Sequence, residues 1–589
     1  MIHFIDFEVF EYNWLAVIID PAREKIHKIW DNPGALAKYY EDFKHEIFCG
    51  YNIAHYDQYI FQSILCGFNP KEVNDYIIVK DKPGYYFSPL LKNYPLIVYD
   101  AMVRNRGLKQ LEGFMGNKIK ESDVPFDIKR PLTDAEKVEV EEYCIHDVDQ
   151  LMEVFAETQK NFEAHMMLIK TFGMPLHYLS KTQAQLSAMI LGCNFQSRDD
   201  EWDIEIIDTL RISKYNDVVK WFTDPANHRY DAEYSRQVAG VDHIFAWGGL
   251  HGARPSYHSK GLIIHVDVNS FYPAIMIEYD LLSRNVRDKS KYREIRDLRI
   301  KYKNEGNPLQ APYKIVLNAT YGICKDKHSS AFDPRQANRI CVNGQLLLLD
   351  LIEHLEVIPG FELIQSNTDG LIIKIPDTDE AFAAVDDICY EWETRTRMGL
   401  GFDYVEAIWQ KDVNNYLFKY SHGKKAGKLE RKGAYVKELS PLDNDLPIIN
   451  KALVNYMVYG TPIDITINTC NDLKDFQMVK KISGKYNYIT HGSEFAKVRN
   501  QAGGYDTKCI KQGEILSEKC IRCFASNRSR DGALHKLHAT TGRWAKLENT
   551  PEHAFIWNDD VNGVICPNYL DKTWYINKAK ERLEGFGVV

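Results

Sequence analysis

Ile263-Ile264-His265-Val266-Asp267-Val268-Asn269-Ser270-Phe271-Tyr272-Pro273 is the stretch on which the reading of this chain turns. A run of strand-forming residues from Gly261 to Val266 delivers a carboxylate at its end. Packing explains an acid there poorly, because Asp is rarely enclosed without a partner. Two further stretches fit beside it. Leu363 to Ile375 reads as strand–turn–strand, and its turn, Gln365-Ser366-Asn367-Thr368-Asp369-Gly370, carries a second acid. A hairpin presenting Asp369 opposite Asp267 would complete a two-metal site. Lys314, Asn318 and Tyr321 recur at spacings of four and seven, on one stripe of a predicted helix. A cation, an amide and an aromatic make an odd core face but a sensible surface for a triphosphate and a base pair.

A separate constellation lies nearer the start. Asp6 and Glu8 sit two apart in an apolar strand, so both carboxylates share one face. Asp57 follows Asn52 in Asn52-Ile53-Ala54-His55-Tyr56-Asp57. Thr133-Asp134-Ala135-Glu136 is a capping box opening a helix predicted over 133–163, on which Tyr143 and Asp147 stack at a spacing of four. Carboxylates are the hard ligands that Mg²⁺ or Mn²⁺ prefers. Two such ions activate a water and stabilise a leaving oxyanion in phosphodiester hydrolysis, and a tyrosine hydroxyl beside them orients that water.

The whole-chain numbers set the frame. With 589 residues, several domains are expected. Apolar residues at 45%, charged at 26% and aromatic at 12% exclude a disordered or fibrous chain. No stretch approaches the ~20 apolar residues of a membrane helix. Met1-Ile2-His3-Phe4-Ile5-Asp6 lacks the features of a secretory signal. The net charge of −9 argues against a protein that simply coats nucleic acid. Of twelve cysteines, only Cys520 and Cys523 form a CxxC, with no second pair at zinc spacing; reduced cysteines of a cytosolic protein are expected. A helix is also predicted over 178–192, and a module boundary over the polar stretch 224–235. Strands alternating with helices through the first two-thirds give α/β and α+β layers.

In the order DxE, NxxxxD, YxxxD, the first set resembles the three exonuclease motifs of the DEDD 3′–5′ exonucleases, in the variant with tyrosine in the third motif. Gly107-Leu108-Lys109-Gln110-Leu111-Glu112 is similar to the proofreading domains of DNA polymerases. Asp267 to Pro273 resembles motif A of the family B DNA polymerases, DxxSLYP, with Phe271 for leucine. Lys314 to Gly322 resembles motif B, KxxxNSxYG, with Ala319 for serine. Gln365 to Gly370 resembles motif C, YxDTDS, with Gln365, Asn367 and Gly370 replacing tyrosine, aspartate and serine. Asn415-Tyr416 and the run from Lys424 to Tyr435 resemble the lysine- and tyrosine-bearing segment that grips the primer-template. Trp247-Gly248-Gly249 resembles the YxGG linker between exonuclease and palm.

The resemblance implies an RNase H-like exonuclease domain followed by a right-hand polymerase. Its expected parts are exonuclease at 1–160, a connection and the start of the palm at 161–245, palm at 246–283 and 326–440, fingers at 284–325 and thumb at 441–589. It implies Asp267 and Asp369 as ligands of two Mg²⁺ or Mn²⁺ ions at the polymerase centre. Asp6, Glu8, Asp57 and Asp147 would hold two more, with Tyr143 positioning the water. Ser270, Phe271, Tyr272, Lys314, Asn318 and Tyr321 would meet the incoming nucleotide, Tyr272 excluding a ribose 2′-hydroxyl. Lys432, Tyr435, Asn52, Gly248 and Gly249 would meet DNA. Residues 284–303 carry nine basic and three acidic side chains, and Arg296, Arg299 and Lys303 recur at helical spacing, which makes them candidates for the triphosphate.

Only 47 positions separate Asp267 from Lys314, and 51 separate Asn318 from Asp369, too few for the insertions of protein-primed phage polymerases. A compact phage-type enzyme is expected: nucleic-acid-primed, monomeric, in the host cytoplasm, working on primer-template DNA and dNTPs, with a single-stranded 3′ end entering the exonuclease site. Helicase, primase and single-strand-binding partners are left open. The competing readings are an exonuclease with an inactive polymerase half, given Asn367, a non-enzymatic nucleic-acid-binding replication protein, and an RNA-synthesising or reverse-transcribing palm enzyme.

Overall fold

The computed structural model describes residues 1–499 and 505–588. β1 (Ile2–Val9), β2 (Trp14–Asp20) and β3 (Lys25–Trp30) form an antiparallel meander. β4 (Ile47–Gly50) and β5 (Ile97–Asp100) add parallel to β1, giving the order β3-β2-β1-β4-β5. β2 is buried along its whole length, as expected for an apolar strand covered on both faces. Ile5, Phe7 and Val9 pack with Ile60 and Phe61 on one side of the sheet. Phe4 lies in the core with Val140 and Val148 on the other. Asp6 and Glu8 share the Phe4 face by the period of two, so β1 points both acids at the long helix.

That helix runs Asp134–Thr171 and opens on the expected capping box: Glu136 N–H donates to Thr133 Oγ1 at 3.3 Å, and Thr133 N–H to Glu136 Oε2 at 2.8 Å. It extends eight residues past the predicted end. The helix predicted over 178–192 is shorter. A 3₁₀ turn occupies Leu176–Ser180, and the α-helix spans only Gln183–Ile190. Thr182 accounts for the break, because it caps the helix reciprocally with Gln185 and so cannot lie inside it.

A second sheet starts with β6 (Glu233–Val238), β7 (Val241–Ala246), β8 (His251–Ala253) and β9 (Tyr257–Val268). It continues with β10 (Glu362–Ser366), β11 (Gly370–Lys374), β12 (Leu400–Asp412), β13 (Asn415–Tyr420) and β14 (Leu429–Lys432). The order is β14-β13-β12-β9-β11-β10-β8-β7-β6, so β9 lies mid-sheet between β11 and β12. The sheet therefore begins at Glu233, inside the stretch expected to connect two modules. Its core is continuous with that of the first domain, from Phe4 through Leu168 to Leu346 of the buried helix Pro334–Leu355. Helices Lys289–Asn304 and Gln310–Lys325 stand between the motif-bearing strands in sequence.

The C-terminal part has its own core. Its strands are β15 (Met478–Lys481), β16 (Tyr486–His491), β17 (Glu494–Arg499), β18 (Tyr505–Lys511), β19 (Glu514–Leu516), β20 (Cys520–Ala525), β21 (Leu534–His538), β22 (Trp544–Lys546) and β23 (Ala554–Ile556). They make three small sheets, β15-β20-β23, β19-β16-β21-β22 and the ribbon β17-β18. All twelve cysteines are free. Cys520 and Cys523, three apart on β20, enter different apolar clusters, so this CxxC forms no metal pair. Among the described residues no helix is long and apolar enough to cross a membrane.

This part is fastened to the first domain. Leu111, Phe114, Met115 and Ile119 pack with Val479 and Cys520 in one cluster. At its centre Arg522, fully buried, donates to four backbone carbonyls: Gly113 at 2.9 Å, Asn117 at 2.7 Å, Trp557 at 3.3 Å and Asp559 at 2.7 Å. Burial lowers its pKa to about 10, since carbonyls rather than a carboxylate receive the charge. Arg522→Ala leaves those carbonyls unpaired and opens a cavity. We expect it to cost about 3 kcal/mol or more, read by urea denaturation, and to speed proteolysis around residues 113–121. Arg522→Lys should recover only part of the loss.

Candidate active sites

Two carboxylate centres occupy the two large sheets. In the first, β1 supplies Asp6 and Glu8, the helix Asp57–Leu65 begins at Asp57, and the 134–171 helix supplies Tyr143, Cys144 and Asp147. Glu8 and Asp57 are 6% and 2% exposed. Ligand atoms of Asp6, Glu8 and Cys144 lie within 4.8 Å of one another, and so do those of Glu112, His146 and Asp147. Burial and then Asp147 push the Asp6 carboxyl up to about 7. Burial, Asp6 and Asp147 raise Glu8 well above the carboxylate range, and burial and Asp6 do the same to Asp57. Asp147 stands at about 6, with burial raising it and Lys109 opposing. Asp57 Oδ1 is buried with no partner. Mutually repelling acids with an orphaned oxygen fit divalent cations, which would take up this charge.

Lys109, Glu112 and His146 were not singled out from the sequence as site residues. Lys109 is hydrogen-bonded to Asp147, bonds Glu112 at 3.1 Å and lies 4.6 Å from the centre of the Tyr143 ring. Burial opposes its charge, but Asp147 and Glu112 outweigh that and hold it protonated. The Tyr143 hydroxyl, raised by burial and by Asp147, Glu8 and Asp6, stays a proton donor toward these acids. The signal for Lys109 and Glu112 was their i, i+3 spacing in the 107–112 run. Asn52, at φ 69°, is held by its backbone N–H to Asp100 Oδ1 at 2.9 Å.

In the second centre, Gly370 pairs with Asp267 across β11 and β9, and Val268 N–H donates to the Asp369 carbonyl at 2.8 Å. Asp369 thus turns beside Asp267 from the β10–β11 hairpin. A Cβ on Gly370 would lie 2.6 Å from the Val266 carbonyl, so only glycine lets the strands come this close. Asn367 Oδ1 accepts the Asp369 N–H at 3.2 Å, a turn-forming role that requires no charge. Burial, Asp369 and Asp403 push Asp267 up to about 6. Asp403, missed in the sequence, lies on β12 opposite His265 and bonds Lys425 at 2.7 Å. No local pattern marks it: Asp403 stands two residues past Gly401, which meets Asp267 only in the folded sheet. A pair of facing carboxylates with a third nearby is a donor set of the kind Mg²⁺ or Mn²⁺ takes.

The nucleotide-side candidates are brought together in part. Tyr272 packs on Tyr321 with ring centres 4.6 Å apart, Phe271 is buried, and Lys314 and Asn318 are exposed on the 310–325 helix. Ser270 takes a left-handed conformation, φ 51°, and accepts from Arg299 Nη1 at 2.5 Å. Burial lowers the Arg299 pKa, and its Nε is buried without a partner. Lys303 is near enough to Asp267 to favour its ionised form. Arg296 differs: it is spent on Glu278 at 3.1 Å and Asp297 at 3.3 Å. Of the DNA-side candidates, Lys432 is exposed, while Tyr435 lies 4.8 Å from Arg582 and packs against the C-terminal core. Gly249 backs onto Thr368, and Gln345 fastens the Ala246 and Gly248 carbonyls at 2.8 and 2.9 Å. This segment supports the Asp369 hairpin from behind.

No protein-family model and no curated protein matches the chain. Among solved structures, the family B DNA polymerase from the hyperthermophilic archaeon Pyrobaculum calidifontis is similar over 100% of this chain and 78% of that one, at 13% identity and a TM-score of 0.42. So loose a likeness transfers no role to any residue.

The raised acids of the first centre set a pH dependence. Unfolded carboxyls titrate near 4, so between about pH 4 and 7 the folded chain holds more protons than the unfolded one. Stability of the metal-free protein then falls as pH rises through that window. In EDTA, the melting temperature should be lower at pH 8 than at pH 5.5. Asp6→Asn should stabilise the metal-free protein at pH 8, by on the order of 2 kcal/mol, and Mn²⁺ should stabilise the wild type more than the variant. Metal-free stability that rises toward pH 8 and ignores Asp6→Asn would contradict the site.

Proposed function

We propose that this chain is a DNA-directed DNA polymerase of family B with a 3′–5′ proofreading exonuclease, of the compact, nucleic-acid-primed type found in bacteriophages. One observation carries the reading: two carboxylate centres stand on two different sheets, and Tyr272, five residues past Asp267 on the same motif, packs on Tyr321 of the helix that exposes Lys314 and Asn318. A sheet with three antiparallel and two parallel strands suits an RNase H-like exonuclease domain. The nine-stranded sheet is read as palm, the helices at 289–325 as fingers and the part beyond 441 as thumb.

Divalent cations bound at Asp267 and Asp369 would lower the pKa of a primer 3′-hydroxyl and neutralise the triphosphate. The chain's own groups would do the rest. Lys314, Arg299 and Lys303 hold the triphosphate. Tyr321 lies under the nascent base pair, and Tyr272, packed on it, fills the space of a ribose 2′-hydroxyl. Asn367 keeps the Asp369 turn closed in place of an aspartate, which favours an active polymerase over a nuclease alone. At the first centre, Tyr143 orients the attacking water and Lys109 holds Asp147. The enzyme would act as a monomer in the host cytoplasm on primer-template DNA, using dNTPs.

Primer extension and excision of a single-stranded 3′ end, measured with Mg²⁺ on the same preparation, test this. Asp267→Ala should lower extension by about 10³-fold and spare excision, and Asp6→Ala should do the reverse. Loss of both activities in either variant overturns the assignment of two sites. Among the basic residues, Arg299→Ala should raise the KM for dNTP about tenfold, while Arg296→Ala, already neutralised by Glu278, should change it by less than about twofold. Equal effects would remove the distinction.

A further inference from the structure

His243 lies on β7, four strands from β9 in the nine-stranded sheet, and is 1% exposed. Neither carboxylate centre contains it. A histidine shut away from water is costly unless its ring nitrogens are bonded. Here both are: Nδ1 lies 2.9 Å from the Val241 carbonyl and Nε2 lies 2.6 Å from Ser366 Oγ. A carbonyl can only accept, so Nδ1 carries the proton and Nε2 accepts the Ser366 hydroxyl. Burial pushes the His243 pKa down to about 4, which keeps the ring neutral, in this one tautomer, at neutral pH.

The strand register shows how the ring reaches Ser366. His243 pairs with Gly252 of β8, and Gly252 pairs with Ser366 of β10, so the three stand in one row across the sheet. The ring crosses over Gly252, where a Cβ would lie 2.4 Å from His243 Cδ2 and 2.5 Å from Nε2. Any side chain at 252 would block the reach. Because none is there, a residue of β7 takes hold of β10 two strands away, which backbone pairing alone cannot do.

Ser366 is fully buried and is the last residue of β10, immediately before the turn that carries Asp369. Asn367 follows it and closes that turn, its N–H donating to the Gly370 carbonyl at 3.0 Å. On its outer side β10 has little backbone support. β8 is only His251–Ala253, and it meets β10 through two residue pairs, Gln365 with Ala253 and Ser366 with Gly252. Asp369 acts on Asp267 as a like charge, so the turn is under load. The bond from His243 falls where that load meets the short seam.

We infer that His243 is a positioning residue for the second carboxylate centre. Its bond to Ser366, passed over Gly252, fixes the β10 end of the turn and so sets where Asp369 stands relative to Asp267. This deepens the reading of that centre as a polymerase site and rests on it.

The test uses the full chain. His243→Leu keeps bulk and removes the acceptor, Ser366→Ala removes the donor, and His243→Gln restores an acceptor. The first two should each raise the Mg²⁺ concentration for half-maximal primer extension about tenfold and lower kcat, while the KM for dNTP and the rate of 3′ excision stay within about twofold. His243→Gln should recover most of the loss, and the double variant should be no worse than either single one. A second readout needs no activity: Mn²⁺ binding followed by the electron spin resonance of the free ion, with Asp267→Ala marking the sites of this centre. Those sites should weaken about tenfold in His243→Leu and in Ser366→Ala. Ser366→Ala, the loss of one oxygen, reads the same bond should His243→Leu not fold. A lowered melting temperature with wild-type Mn²⁺ affinity and Mg²⁺ dependence makes the bond purely structural and overturns the inference, as do losses that add in the double variant. Weakened Mn²⁺ sites in a chain whose wild type extends no primer keep the positioning role and overturn the polymerase reading.

Discussion

The close approach of β11 to β9 governs the central part of the molecule. At Gly370 the neighbouring backbone leaves no room for a side chain. That contact brings the carbonyl of Asp369 onto the Val268 N–H and sets the two acids side by side. Once β9 is fixed on that side, β12 pairs along its other edge and brings Asp403 opposite His265. The acids cannot relax apart, because separating them would break a ladder in the middle of a nine-stranded sheet. Burial first, and then the neighbouring Asp369 and Asp403, raise the Asp267 pKa.

The two centres solve one problem differently. In the first, four acids are enclosed, one oxygen is orphaned, and a single lysine offsets part of the charge. In the second, Asp369 stands open to solvent and its neighbourhood is assembled from helices that bring Arg299 and Lys303. A closed site suits a small nucleophile such as water, and an open one suits a large incoming substrate. The enclosed acids make the first domain less stable without cations, whereas the second centre loads mainly the one hairpin.

Local patterns in the sequence made much of this legible. The apolar run into Asp267, the strand–turn–strand around Asp369 and the Thr133 capping box all sit where their patterns put them, because each depends on neighbours within a few residues. Strand register was not legible. Asp403 becomes a neighbour of Asp267 only through pairing with residues over a hundred positions away. The 178–192 helix was overextended because a second capping box at Thr182 went unread. Arg296, Arg299 and Lys303 look alike as a spacing, yet Glu278 neutralises only the first, and Glu278 belongs to another helix. The place of the C-terminal part against the first domain was not legible either, because it depends on Arg522 reaching carbonyls some 400 residues earlier.

That last contact has a bearing on how the chain is made. The apolar side chains Leu111, Phe114, Met115 and Ile119 are covered only when Val479 and Cys520 arrive. On a ribosome adding about 5–20 residues per second, that surface waits for roughly 400 residues, on the order of half a minute, before it is sealed. The N-terminal sheet forms early from contacts between near neighbours, but this face is closed by residues some 400 positions further along the chain. Truncated products would therefore carry a sticky, half-finished first domain, a natural substrate for chaperones and proteases.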